Sequence, residues 1–136
     1  MSAAEPFFDT NVLLYLLSAD TTKADRAESL LANGGTISVQ VLNEFASVGL
    51  RKLAMSVTEL REVLEPVRDV CRVEPVTEDT HDRALALSER YRFAFYDALL
   101  IAAALRAGCA RLYSEDLQHG QLIDRQLRIL NPFRQA

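Results

Sequence analysis

Four carboxylates carry the chemistry this chain is equipped for: Asp9, Glu44, Asp97 and Asp116. Each stands where a short apolar run gives way to a polar or helical stretch, in "PFFDTN", "VLNEFA", "FAFYDALL" and "LYSEDL". Carboxylates gathered in one place repel, so some stay protonated at neutral pH unless a cation neutralises them. A hard divalent ion such as Mg2+ or Mn2+ prefers carboxylate and water oxygens, and Mg2+ keeps several of its waters. An open ion held by acids suits the hydrolysis of a phosphodiester, because it polarises the phosphoryl oxygen and provides the attacking water. His81 and His119 lack the spacing of a zinc pair and read as surface or structural side chains.

Whether the four acids meet depends on the elements that carry them. "PFF" reads as the end of a strand, broken at Asp9-Thr10-Asn11 because Asp and Asn suit neither strand nor helix interiors. "TNVLLYLLS" then starts a helix at once, and residues 22–33 form a second helix stopped by Gly34-Gly35. "TISVQ" (36–40) is a β-branched strand followed by an amphipathic helix over 41–53. Ser56 and Glu59 have capping-box spacing ahead of the next helix, which Pro66 is expected to kink or end. A third strand over 71–76 leads into a helix over 78–92. The segment 97–108 is apolar nearly all round, the pattern of a buried helix, with Gly108 as its left-handed cap. "ARLYS" (110–114) and "LRIL" (127–130) read as the last two strands.

Strands alternating with helices predict βαβ units and a parallel sheet, hence a three-layer α/β domain. In such a sheet the strand C-termini and the following helix N-termini share one edge, where ligands bind. Asp9 follows the first strand, Glu44 falls in the first turn of the helix after "TISVQ", Asp97 opens the apolar helix, and Asp116 follows "ARLYS". Taken singly, Asp9 and Asp97 are plausible helix caps, Asp116 a turn residue and Glu44 a solvated charge. Four such acids at one sheet edge are better explained by a common site.

Composition narrows the field. At 136 residues, 49% hydrophobic and 25% charged, the chain reads as one globular domain over 1–136. Its longest apolar run, Ala98 to Leu105, is far short of the roughly 18 residues of a membrane span. No basic stretch precedes an apolar one at the N-terminus, so no secretory signal is expected and a cytoplasmic location follows. Cys71 and Cys109 have neither metal nor redox spacing and read as buried reduced thiols. The net charge of −4 argues against holding nucleic acid by bulk positive charge, although four acids gathered in a site would leave the remaining surface balanced.

The segments "FFDTNVLLYLL", "VLNEF", "FYDALLIAAAL" and "LYSEDL", in this order, resemble PIN-domain nucleases, and most of all the VapC-type toxins of prokaryotic toxin–antitoxin pairs. The resemblance covers Phe7 to about Phe133. It implies a central parallel five-stranded sheet flanked by helices and a Mg2+- or Mn2+-dependent endoribonuclease leaving 3′-hydroxyl and 5′-phosphate ends. It also implies a homodimer and a cognate antitoxin that blocks the crevice. By motif, Asp9, Glu44, Asp97 and Asp116 carry over as catalytic, metal-holding acids, Asn11 as the residue orienting the first Asp, and Ser114 as a supporting hydroxyl. Many members carry a further acid two residues beyond the last Asp. Here that position is Gln118, and Glu115 is expected to point away from Asp116, so one firmly held ion is expected and a second only with substrate. Arg51-Lys52, Arg90, Arg92, Arg106 and Arg111 are candidate phosphate contacts, with Arg92 and a base-stacking Tyr96 ranked first because they flank Asp97.

Two other readings compete. A haloacid-dehalogenase-like phosphatase also places Asp after an apolar strand, but needs a second acid where Asn11 stands. A non-catalytic α/β protein-binding module would use the four acids as caps alone.

Overall fold

The architecture, taken from a computed structural model, is described for residues 5–134; the first four residues, where a leader would begin, and the last two lie outside it. Strand β1 (Phe7–Phe8) is wholly buried and gives way at Asp9 to helix α1 (Thr10–Leu14), which tightens into a 3-10 turn at Tyr15–Leu17. Helix α2 (Thr21–Ala32) is capped by Asp20, whose carboxylate accepts from the N–H groups of Thr22 and Lys23. Gly35 opens β2 (Gly35–Ser38) against β1. A Cβ there would lie 2.4 Å from the Phe8 ring and 2.7 Å from the Pro6 carbonyl, so only glycine lets the two strands close.

Ser38 caps α3 (Val39–Arg51), and the predicted capping box at Ser56 and Glu59 starts α4 (Val57–Val70). Pro66 does not end α4: the helix runs on to Val70. Pro66 and Glu62 are both exposed, so water can serve the Glu62 carbonyl that loses its donor. β3 (Cys71–Glu74), α5 (Glu78–Tyr91), α6 (Phe95–Arg106) and β4 (Arg111–Tyr113) follow. Helix α6 buries every residue from Ala98 to Leu105, as its all-round apolar pattern requires. Each of its buried Leu and Ile side chains contributes roughly 1.5–3 kcal/mol of gross transfer energy. Cys71 and Cys109 are buried free thiols.

The strand order is β3-β2-β1-β4-β6-β5, where β5 is Leu122–Ile123 and β6 is Leu127–Leu130. The five expected strands are mutually parallel, and the sequence reading missed only the short β5, which pairs antiparallel with β6. With helices flanking the sheet, this is the three-layer α/β arrangement. From β1 the chain winds outward through β2 and β3, then returns to place β4 on the other side of β1. The β1–β4 boundary is therefore the switch point of the sheet, where diverging connections open a crevice beyond the strand C-termini. Among the described residues no helix is long and apolar enough to cross a membrane.

Candidate active site

Register places the first acid. Phe8 pairs with Tyr113 across β1 and β4, and the Asp9 N–H continues the ladder to the Tyr113 carbonyl at 3.0 Å. Asp9 and Ser114 therefore leave the sheet side by side at its switch point. The buried Ser114 hydroxyl donates to Asp9 Oδ2 at 2.7 Å and accepts from the N–H groups of Asp116 (3.2 Å) and Leu117 (3.3 Å). One hydroxyl thus aims the first carboxylate and shapes the loop that carries the last.

The other Asp9 oxygen accepts the Thr10 N–H at 2.6 Å, capping α1. Asn11 spans the corner. Its amide nitrogen reaches Asp9 Oδ2 at 3.3 Å and Asp116 Oδ2 at 3.0 Å, and its oxygen accepts the Glu115 N–H at 3.3 Å. Thr10 lies between Asp9 and Asn11 and ties the second wall to the first, its hydroxyl donating to Glu44 Oε1 at 3.0 Å. Glu44 is two residues deeper in its helix than expected, because α3 starts at Val39 rather than 41. Asp97 is in the first turn of α6 but is not its cap: the N-cap is Ala94, which makes no side-chain hydrogen bond.

Asp9, Asn11, Glu44, Tyr96, Asp97 and Asp116 line one open cleft of about 230 Å3. Ser114 lies beneath it, and Arg92 is not among its lining residues. Arg92 instead ends α5 in the left-handed conformation, at φ 65°, with an exposed side chain. Arg90 pairs with Asp124 at 3.4 Å, Arg106 with Asp79 at 3.0 Å, and Arg111 donates to the Tyr113 hydroxyl at 3.0 Å; none of these lines the cleft, nor do Arg51 and Lys52. His81 packs against Phe95, and His119 Nδ1 accepts the Asn131 N–H, both away from the acids. Gln118 is exposed outside the cleft.

Sequence reasoning passed over a brace behind the site. Glu115 accepts from the Tyr15 hydroxyl and pairs with Lys23 at 3.2 Å, while Lys23 also donates to the Tyr15 oxygen at 3.0 Å. The Glu115 carboxylate is not among the groups that line the cleft, and it anchors the 114–117 loop to the start of α2. Glu115 lies 100 positions from Tyr15 and 92 from Lys23, so no local pattern reveals the brace.

The electrostatics are those of a crowded acid corner. The Asp9 carboxyl is raised from an ordinary 3.8 to about 6. Burial is the main cause; the bonds from Ser114 and Thr10 oppose it, and the charges of Asp116 and Glu44 add to it. Asp97 is raised as well, by burial first and then by Asp116. Every ionisable group in the lining is a carboxyl apart from the Tyr96 phenol, so the donor set is the all-oxygen kind that Mg2+ or Mn2+ prefers. Among the described residues no three His, Cys, Asp or Glu are grouped so that they could hold a metal ion as they stand. Ser114→Ala is expected to destabilise the fold by about 1–3 kcal/mol in urea unfolding, because it strands two N–H groups and leaves Asp9 Oδ2 with the Asn11 amide alone. An unchanged midpoint would show that this hydroxyl does not organise the corner.

The sequence profile of the PIN domain matches residues 7–122. No curated protein matches the chain at a significant level. Solved structures share the fold, among them the following three. A toxin–antitoxin complex from Klebsiella pneumoniae is 21% identical with a TM-score of 0.70, over 97% of this chain and 98% of that one. The VapC20 toxin of Mycobacterium tuberculosis, described as cleaving the sarcin–ricin loop, is 24% identical with a TM-score of 0.66, over 82% and 89%. VapBC2 from Rickettsia felis, bound to a DNA fragment from its promoter, is 15% identical with a TM-score of 0.62, over 93% and 98%.

Proposed function

Because the chain belongs to the PIN domain family, we propose that it is a Mg2+- or Mn2+-dependent endoribonuclease, acting as the toxin of a toxin–antitoxin pair. The observation that carries this reading is the convergence of Asp9, Glu44, Asp97 and Asp116 on one cleft at the sheet's switch point, where burial and mutual repulsion hold the Asp9 carboxyl near 6. A divalent cation relieves that conflict, and the four acids are the residues that would hold it. When bound, such an ion supplies Lewis-acid polarisation of the phosphoryl group and a water of lowered pKa.

The chain's own residues do the positioning. Ser114 and the Thr10 N–H fix the two Asp9 oxygens, the Thr10 hydroxyl fixes Glu44, and Asn11 holds Asp116 toward Asp9. Preorganised in this way, the acids need little rearrangement when charge develops on the phosphate. Products with 3′-hydroxyl and 5′-phosphate ends belong to this reading.

The toxin role draws on the neighbours. The Klebsiella pneumoniae structure is described as a toxin–antitoxin complex, and the Mycobacterium tuberculosis protein as a toxin that cleaves the sarcin–ricin loop. A cognate antitoxin that covers the cleft, a homodimer and a cytoplasmic location are parts of the proposal. Inducing the chain alone in a bacterial host is expected to arrest growth, and inducing Asp97→Asn is not. Normal growth with the wild-type chain expressed and folded would remove the toxin role. The haloacid-dehalogenase alternative has no place in a PIN domain, and a binding module without catalysis is the outcome if purified protein cuts no RNA.

A further inference from the structure

The second half of the acid cleft has a different chemistry. Leu14, Val48, Leu100 and Tyr96 line it beside the carboxylates, so about half of the cleft wall is apolar. No Lys, Arg or His is among the lining residues. An acidic cleft without cations cannot grip a polyanion by ion pairs, and its own carboxylates repel the phosphates. A divalent ion answers that repulsion only for the phosphate it touches. The rest of the grip on a nucleotide must come from contacts that carry no charge.

Tyr96 is the side chain best placed to provide them. It sits in the first turn of α6, next to Asp97, and is 63% exposed although it is a large ring at the cleft wall. Its ring makes an edge contact with Phe95, with ring centroids 5.6 Å apart and an interplanar angle of 72°, and Phe95 packs in turn on His81. An exposed aromatic face beside an apolar floor is the arrangement on which unstacked bases rest, whatever their identity.

We infer that the apolar half of the cleft is a nucleobase subsite, in which a base splayed out of its stack lies against Tyr96 over Leu14, Val48 and Leu100 while its phosphate faces the acids. The inference rests on the ribonuclease reading.

The test measures binding, so that it does not depend on catalysis. Asp97→Asn protein in Mg2+ is titrated, by fluorescence anisotropy, with a labelled single-stranded octaribonucleotide of mixed sequence and with the same ribose–phosphate backbone lacking bases. The base-bearing RNA is expected to bind about 10- to 100-fold tighter than the baseless backbone. Adding Tyr96→Ala should remove most of that difference by weakening only the base-bearing probe, while Tyr96→Phe should retain it. Equal affinity of the two probes, no binding of either, or equal weakening of both by Tyr96→Ala would overturn the subsite. Because Tyr96 is exposed, the variant is expected to keep the parent's melting temperature. Wild-type protein that binds bases through Tyr96 yet cuts no RNA would refute the nuclease reading and leave the subsite standing.

Discussion

Replacing Asp97 with Asn is expected to lower RNA cleavage about 100- to 10,000-fold while leaving the fold intact. A metal-holding carboxylate stabilises charge that develops on the phosphate by several kcal/mol, and each 1.4 kcal/mol is about a factor of ten in rate. The fold is spared because Asp97 caps nothing: α6 starts two residues earlier, and its stability comes from the buried run Ala98–Leu105. Burial and Asp116 already disfavour the charged form, so the neutral Asn should leave the melting temperature unchanged or slightly raised. Single-turnover cleavage and a thermal melt on the same preparation read both effects. Full activity in the variant would contradict the assignment of Asp97.

The second large effect is a dependence of stability on pH and metal that originates at Asp9. Its folded pKa, about 6, exceeds the ordinary 3.8, so the folded state binds the proton more tightly than the unfolded one. Below about pH 3.8 the group is protonated in both states and makes no difference. As pH rises from there to about 6 the folded state loses ground, and above 6 the loss levels off at about 3 kcal/mol. A carboxylate held by an ion pair would do the opposite. In EDTA, the melting temperature of wild type minus that of Asp9→Asn is therefore expected to fall by several degrees between pH 4 and pH 6.5. Millimolar Mg2+ should restore stability at pH 7.5 and do so progressively less below pH 6, where protons compete for the same oxygens. Parallel curves for the two proteins, with no response to Mg2+, would show that Asp9 is not the strained member of the corner.

Much of this architecture was legible in the chain because local and global signals agree. The Asp-Thr-Asn break after Phe8, the glycine pair after α2 and the all-apolar segment of α6 each specify an element on their own, and strand–helix alternation then fixes where the acids go. What was misread lies where a local signal loses to its surroundings. Val39 continues a β-branched run, yet Ser38 caps a helix there, which moved Glu44 two residues deeper. Helix α6 begins at Phe95, two residues ahead of the expected start at Asp97, so Asp97 is not a cap. Pro66 is tolerated because its side of α4 faces water. The two-residue β5 is too short to show a period.

The site was only partly legible for a related reason. Acids at strand ends announce themselves through topology, whereas the residues that orient or flank them do so through three-dimensional contact. Thr10 sits in plain view between Asp9 and Asn11, but its bond to Glu44 spans 34 positions. Tyr15, Lys23 and Glu115 meet only in the fold. Arg92 is near Asp97 in sequence, yet the left-handed turn that ends α5 leaves it outside the cleft lining.

The most direct measurement of the central claim incubates EDTA-stripped protein, freed of any co-purified partner, with structured total RNA, then restores Mg2+ or Mn2+ and maps the ends of the products. The four-acid site predicts discrete fragments with 5′-phosphate ends that appear only with the metal and only when Asp97 is present. Intact RNA from folded protein, or the same fragments in EDTA or from Asp97→Asn, would contradict it.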